Sequence, residues 1–158
     1  MIDDGRRYLV TSEQPYDIII AETKVPNRAG AGLLFSREFF EQVRAKLADG
    51  GIAVQWLPNE RTLSTFVDVY PYVVRVNDAL LGSDRPIPFD LAELRRKLPD
   101  YDNAIAHGGW APETLLSWFE AGPIERWGPN DPPPPGTLNT DLHPRDEFYL
   151  SARLWERL

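Results

Sequence analysis

The sequence predicts an α/β domain with a mostly parallel sheet, an antiparallel hairpin at the sheet edge and added C-terminal helices. Three observations carry that expectation. Two short apolar runs, YDIIIA over 16–21 and IAVQWL over 52–57, flank a stretch with helical spacing; a strand, a crossover helix and a strand make a right-handed unit of parallel pairing. Asn77-Asp78 lies between two β-prone runs, as a tight hairpin turn does. Beyond Pro86 the apolar spacing becomes helical.

Each element has its own signals. Asp4 stands where a cap for a helix over residues 5–10 would stand. The first strand is bounded by Pro15 and by the polar Glu22-Thr23-Lys24. Ser36 caps a helix expected over 36–47, with Phe39, Phe40, Val43 and Leu47 on one face and Gly50-Gly51 ending it. The strand IAVQWL follows at once. Leu63, Phe66, Val67 and Tyr70 mark a second helix that stops before Pro71. Residues 73–76 and 79–82 form the hairpin. Asp90 caps a helix bearing Leu91, Leu94 and Leu98, and Pro112 opens another with Leu115, Leu116 and Phe119. Pro132 to Pro135 is a stiff linker, and the tail beyond Thr137 holds one more apolar cluster, Phe148 to Leu150. The expected organisation is therefore an α/β unit over 1–86, a helical region over 87–131, and a Pro-rich linker with a tail over 132–158.

Composition narrows the function. The chain has no Cys, which excludes disulfides, thiolate zinc sites and cysteine nucleophiles. A net charge of −7 argues against nucleic acid or an anionic membrane as the main partner. No apolar run reaches the roughly 20 residues of a membrane span, and the N-terminus shows no secretory leader pattern, so a cytoplasmic location is expected, including the cytosolic face of a membrane-associated protein. His107 and His143 are far apart in sequence; Asp141 with His143 lacks a second ligand pair at metal spacing, so no metal is expected. A doubly wound sheet begins with a strand and a Gly-rich turn that brings backbone N–H groups to a nucleotide. No residues of this sequence occupy that motif, so the expectation is a truncated wound domain.

The stretch from Tyr16 to Leu57, with FVDVYP over 66–71, LLGSDRP over 80–86 and LNTDLHPRDE over 138–147, resembles the C-terminal half of spermidine synthase-like proteins, the polyamine aminopropyltransferases. It is most similar to the bacterial branch in which such a domain is fused behind membrane helices. The individual motifs are short, and their order and spacing carry the resemblance over most of the chain.

The resemblance implies a truncated Rossmann-like fold of the S-adenosylmethionine-dependent methyltransferase type. It implies aminopropyl transfer to an amine, with decarboxylated S-adenosylmethionine or S-adenosylmethionine as co-substrate and no metal. Asp4-Gly5 matches a pair whose Asp contacts the adenine; the helix cap is the other reading, and one Asp can do both. Glu22 matches the first carboxylate of the family's D-x-x-D-P pattern, which helps deprotonate the attacking amine; a solvated strand end or an ion pair with Lys24 or Arg28 is its plain alternative. The second carboxylate is replaced by Val25, with Lys24 beside it, which weakens the case for a diamine acceptor. Gly30 and Gly32 fall in the family's lid loop, or in an ordinary connection. Gln55-Trp56 matches the wall of the acceptor pocket. The family's substrate-loop Tyr has no counterpart between Val76 and Pro86. Asn139-Thr140-Asp141 matches a tail phrase whose role does not follow from sequence; an Asx or Ser/Thr turn is the plain reading.

Two functions follow as expectations. One is a spermidine synthase-like transferase module, expected to be inactive alone because it lacks the Gly-rich loop. The other is a non-catalytic interaction module that keeps the family core. Either leaves an open sheet edge, to be covered by a second copy or a partner chain.

Overall fold

A computed structural model describes residues 4–22, 30–101, 107–109 and 111–148. The expected contributions of Lys24, Val25 and Arg28, and the whole of the 149–158 stretch, lie outside the described residues. So does the side chain of Phe148.

Helix α1 (Gly5–Thr11) starts at Asp4, whose carboxylate accepts from the Arg7 N–H at 3.0 Å. Strand β1 (Tyr16–Ala21) follows. A 3₁₀ turn (Gly32–Phe35) leads into α2 (Arg37–Arg44), where the Ser36 hydroxyl caps by accepting from Phe39 N. Strand β2 (Leu47–Trp56) comes next, then α3 (Glu60–Val69), capped by Asn59. Strands β3 (Tyr72–Val76) and β4 (Ala79–Ser83) form the hairpin, with Asn77 in the left-handed region at φ 56°. Helix α4 (Leu91–Lys97), a second 3₁₀ turn (Leu98–Tyr101), helix α5 (Pro112–Glu120), strand β5 (Ile124–Trp127) and the short α6 (Arg145–Phe148) follow.

The strands form one five-stranded sheet in the order β1-β2-β4-β3-β5. The expected α/β class holds, and β1 and β2 are the expected parallel pair flanking α2. Within the described residues the balance of the sheet differs from expectation: the other three pairings are antiparallel. The hairpin is also not the edge. Strand β5 adds to β3 by pairing Val73 with Trp127 and Val76 with Ile124. Residues 87–131, read as helical, thus contribute a strand. It has four residues, two of them the charged Glu125 and Arg126, too short and polar for strand periodicity to show.

The second difference lies between α2 and β2. The helix ends at Arg44, not Leu47, and Gly50 is a strand residue at φ 75°. The register between β1 and β2 shifts between Tyr16 and Ile18, whose partners are Leu47 and Ile52. Gly50-Gly51 therefore serves an irregularity in the strand and not a helix C-terminus. Gly51 lies so close to the chain that an added Cβ would sit 2.9 Å from both the Tyr16 and Ala48 carbonyl oxygens.

The main core lies between one face of the sheet and α1, α2 and α3. It includes Leu9, Phe35, Phe40, Leu63, Phe66, Val73 and Leu80. The Phe40 and Phe66 rings meet edge to face at 5.1 Å, and Phe66 continues to Tyr70 at 4.4 Å. The Tyr70 hydroxyl donates to the Phe40 carbonyl at 3.1 Å, and burial raises its pKa far above the usual tyrosine value. Ile19 and Ala21 of β1 pack on this core. Strand alternation sends Ile18 and Ile20 to the opposite face, where they are 59% and 67% exposed.

Candidate functional site at the carboxyl end of the parallel strands

Strand β1 ends at Ala21, so Glu22 is the first residue beyond the sheet. Parallel pairing sets Ala21 beside Gln55, and β2 ends one residue later at Trp56. Antiparallel pairing sets Trp56 beside Ala79, which follows Asp78 in the hairpin turn. Three neighbouring strands therefore deliver Glu22, Gln55-Trp56 and Asp78 to one end of the sheet. Ligands of open α/β sheets bind beyond the carboxyl ends of parallel strands for this reason.

Two cavities open there, and Glu22 borders both. One, of about 420 Å³, is lined by Glu22, Gln55, Trp56, Asp78, Ala79 and Trp118, with Ile20, Ala21 and Val54. The other, of about 310 Å³, is lined by Asp4, Gly5, Leu9, Glu22, Leu34 and Phe39, among others. Four residues singled out in the sequence for opposite halves of a reaction, Asp4 and Gly5 against Gln55 and Trp56, thus line separate cavities that share the end of β1. Asp4 carries out its capping role in this arrangement.

The Gln55 side chain is 2% exposed, and its Nε2 donates to the Trp56 carbonyl at 3.1 Å. Trp56 donates its indole N–H to Asp78 Oδ2 at 3.2 Å. The two glycines of the loop after β1 differ. Gly30 is exposed at φ 79°, whereas Gly32 opens the 3₁₀ turn, is buried, and accepts at its carbonyl from Asn139 Nδ2 at 3.4 Å.

A strap from the tail holds the second cavity together. Asn139 is fully buried. Its N–H donates to Thr65 Oγ1 at 3.0 Å, its carbonyl accepts from Arg37 N at 2.8 Å, and its Oδ1 accepts from Arg145 N at 2.8 Å. Asp141 receives both terminal nitrogens of Arg6, at 2.9 and 2.6 Å, and the Ser36 hydroxyl at 2.5 Å. Arg6 Nε also donates to Gln42 Oε1 at 2.7 Å, and its guanidinium lies 5.8 Å from the Phe39 ring centre. Asp141 thereby fastens α1 to α2. The Arg6 hydrogen bond lowers the Asp141 pKa most, the Ser36 hydroxyl lowers it further, and partial burial opposes both. Thr140 closes the Ser/Thr turn expected there, its Oγ1 accepting from His143 N at 3.2 Å. The clamp itself had no signal in the sequence, because its partners lie 105 and 135 residues from Asp141. Asp78 and Trp118 were missed for the same reason: a hairpin turn and a distant helix give no local sign that they face one cavity.

Fold and site together define an α/β domain with ligand-sized cavities at the carboxyl end of its parallel strands. No protein-family model matches the chain. A 54-residue stretch, 34% of the chain, is 41% identical to polyamine aminopropyltransferase 1 of Pseudomonas aeruginosa. An equally long match to the polyamine aminopropyltransferase of Pseudomonas syringae pv. tomato is 39% identical. Each match spans 18% of the relative's length. A probable spermidine synthase from Corynebacterium glutamicum aligns over 87% of this chain and 55% of its own, at a TM-score of 0.45 and 20% identity. Over that 54-residue stretch the chain is similar to polyamine aminopropyltransferases. Among the described residues no helix is long and apolar enough to cross a membrane.

Proposed function

We propose that the chain carries the acceptor side and the strand-end carboxylate of an aminopropyltransferase-type site. The observation that supports this most is Glu22, standing between a cavity bordered by Asp4-Gly5 and a cavity bordered by Gln55-Trp56. In this reading the Asp4 cavity takes the adenosine part of decarboxylated S-adenosylmethionine, with the carboxylate accepting from the exocyclic amine. An amine in the Gln55 cavity attacks the methylene carbon bonded to the sulfonium. The C–S bond breaks, its electron pair stays on sulfur, and 5′-methylthioadenosine leaves. The proton displaced from the nitrogen passes to Glu22 and then to water. Bringing both reactants to one carboxylate supplies proximity as well as a base. The 158 residues contain no Gly-rich phosphate turn, so these residues alone hold the donor weakly.

Isothermal titration with 5′-methylthioadenosine tests the reading. Wild type is expected to bind saturably. Asp4→Ser is expected to weaken binding at least about tenfold while keeping the thermal midpoint, because serine caps a helix about as well as aspartate. A folded wild type that gives no binding heat would reject the donor site.

The second reading, a non-catalytic interaction module, is favoured by the exposed Ile18 and Ile20 on edge strand β1. Among the described residues β1 is an edge strand, and exposed apolar side chains on the face of such a strand promote association. It predicts concentration-dependent self-association by sedimentation, abolished in the Ile18→Lys, Ile20→Lys double variant. A wild type that stays monomeric at high concentration would count against a second copy as the cover.

A further inference from the structure

We infer that β1 is the self-complementary edge of a two-fold dimer, pairing antiparallel about Ile19 with β1 of a second copy and joining two five-stranded sheets into one. The inference rests on the interaction-module reading above. It goes beyond that reading by assigning the pairing, its register and the number of copies at which assembly closes.

Among the described residues the sheet has two edges, β1 and β5, and they are built differently. Strand β5 has four residues, and its two charges are engaged. Glu125 accepts from the Arg75 guanidinium at 3.1 Å, and Arg126 donates to the Phe89 carbonyl at 2.7 Å. A short, charged edge resists further pairing. Strand β1 has six residues, carries one charge, Asp17, and contains neither Lys nor Pro. Among the described residues it pairs on one side only, with β2, so a row of backbone N–H and C=O groups faces outward.

Exposed apolar groups gather at the same edge. Of the six exposed large apolar or aromatic side chains among the described residues, four are Tyr8, Val10, Ile18 and Ile20. Helix α1 runs beside β1. Its Gly5 and Leu9 border one cavity with Ile19 and Ile20, and Tyr8 is hydrogen-bonded to Tyr16 at the start of the strand, which raises the Tyr8 pKa. The edge thus has Ile18 and Ile20 on its open face, and Tyr8 and Val10 on the helix that lines its other face.

A two-fold axis perpendicular to the sheet makes the facing strands antiparallel and keeps each face of the sheet continuous with itself. Registers that set an inward residue opposite an outward one are excluded by the strand period of two. Pivoting on Ile19 sets Ile18 of each copy opposite Ile20 of the other, and Asp17 opposite Ala21. These are paired β-branched contacts with no like charges opposed. The neighbouring registers fit less well. A pivot on Ile18 would draw in Tyr16, beyond the irregularity between Tyr16 and Ile18, and would set Asp17 opposite Ile19. A pivot on Ile20 would set Ile18 opposite Glu22, outside the strand. The pivot on Ile19 keeps both isoleucine contacts in the regular part of β1. Once two copies meet, each has used its apolar edge, so assembly stops at the dimer.

The test combines sedimentation, disulfide trapping and hydrogen exchange on the full chain. The sequence has no Cys, so one introduced thiol reports one position. Ile18→Cys and Ile20→Cys both replace exposed side chains, and circular dichroism establishes that each variant is folded. In the inferred register the two positions oppose each other at a Cα separation of about 5 Å, within disulfide reach. Two copies of either position alone stand about 8 Å apart, beyond it. Oxidising the mixed variants is therefore expected to trap at least about ten times more covalent dimer than oxidising either alone. Wild type is expected to sediment as a dimer, with the amides of β1 gaining protection from exchange as concentration rises and those of β5 unchanged. A wild-type dimer whose β1 amides gain no protection would overturn the inference and leave the interaction-module reading standing. So would trapping in Ile18→Cys alone that equals the mixture. A folded wild type that stays monomeric at high concentration would remove the inference together with self-association as the reading.

Discussion

Asp4 both caps α1 and borders the donor-side cavity, so its substitutions are informative only in pairs. Asp4→Ala removes cap and carboxylate together, and the lost cap alone costs about 1 kcal/mol. A thermal midpoint lowered in Asp4→Ala and retained in Asp4→Ser would separate the two roles. Asp141 gives a pH signature. Its pKa is lowered in the folded chain by Arg6 and Ser36, against an ordinary value of 3.8. The unfolded chain therefore holds its proton more tightly, and the clamp's contribution is complete above 3.8 and lost as pH falls through the lowered value. Asp141→Asn is expected to cost about 1–2 kcal/mol at neutral pH, with the gap from wild type closing toward pH 3 in denaturant titrations. The capping residues Asp4, Ser36 and Asp90 were legible because a cap is a local event within three residues. Asp141 and Asn139 were not, because, apart from Arg145 N, the groups described above that they satisfy belong to α1, α2, α3 and the 3₁₀ turn, all remote in sequence.

Among the elements, glycine positions separate what spacing could show from what packing decided. Gly82 on β4 faces α3, where an added Cβ would lie 2.5 Å from Tyr70 Cγ and 2.7 Å from Phe66 Cε1. Gly82→Ala is expected to push helix and sheet apart and to cost about 1–3 kcal/mol, the usual penalty for an overfilled core. Gly50 tests a different cause. Its surroundings are roomy, with the Arg85 side chain 3.7 Å from a built Cβ, but its φ is 75°. Gly50→Ala is expected to cost about 1–2 kcal/mol through backbone strain alone; chemical denaturation compares the two. The helical spacing of Phe39, Val43 and Leu47 suggested three continuous turns, yet Leu47 pairs with Tyr16 as a strand residue. Pairing between strands overrides the local period, which is why α2 is shorter than its apolar spacing predicts. The spacing in α3 was read correctly because Leu63, Phe66, Val67 and Tyr70 all pack on the same core.

For the whole molecule, one face of the sheet is closed by three helices, while edge strand β1 carries exposed isoleucines on the other. The βαβ unit of β1, α2 and β2 was visible because its strands are apolar runs with a helix between them. The antiparallel majority of the sheet was hidden by the brevity of β5 and by pairings that join residues about 50 positions apart, such as Val76 with Ile124. The acceptor-side cavity has the same character, since Asp78 and Trp118 meet only after the hairpin and α5 are in place.

The tail strap also orders events during synthesis. Arg6 and Asp141 are 135 residues apart, so α1 has no carboxylate to grip until nearly all of the described chain has left the ribosome. Closing so long a loop is entropically costly and comes late. The pocket bordered by Asp4 therefore matures after the sheet beneath it, and a nascent chain arrested before residue 139 would carry the strand-end carboxylate in a half-built socket.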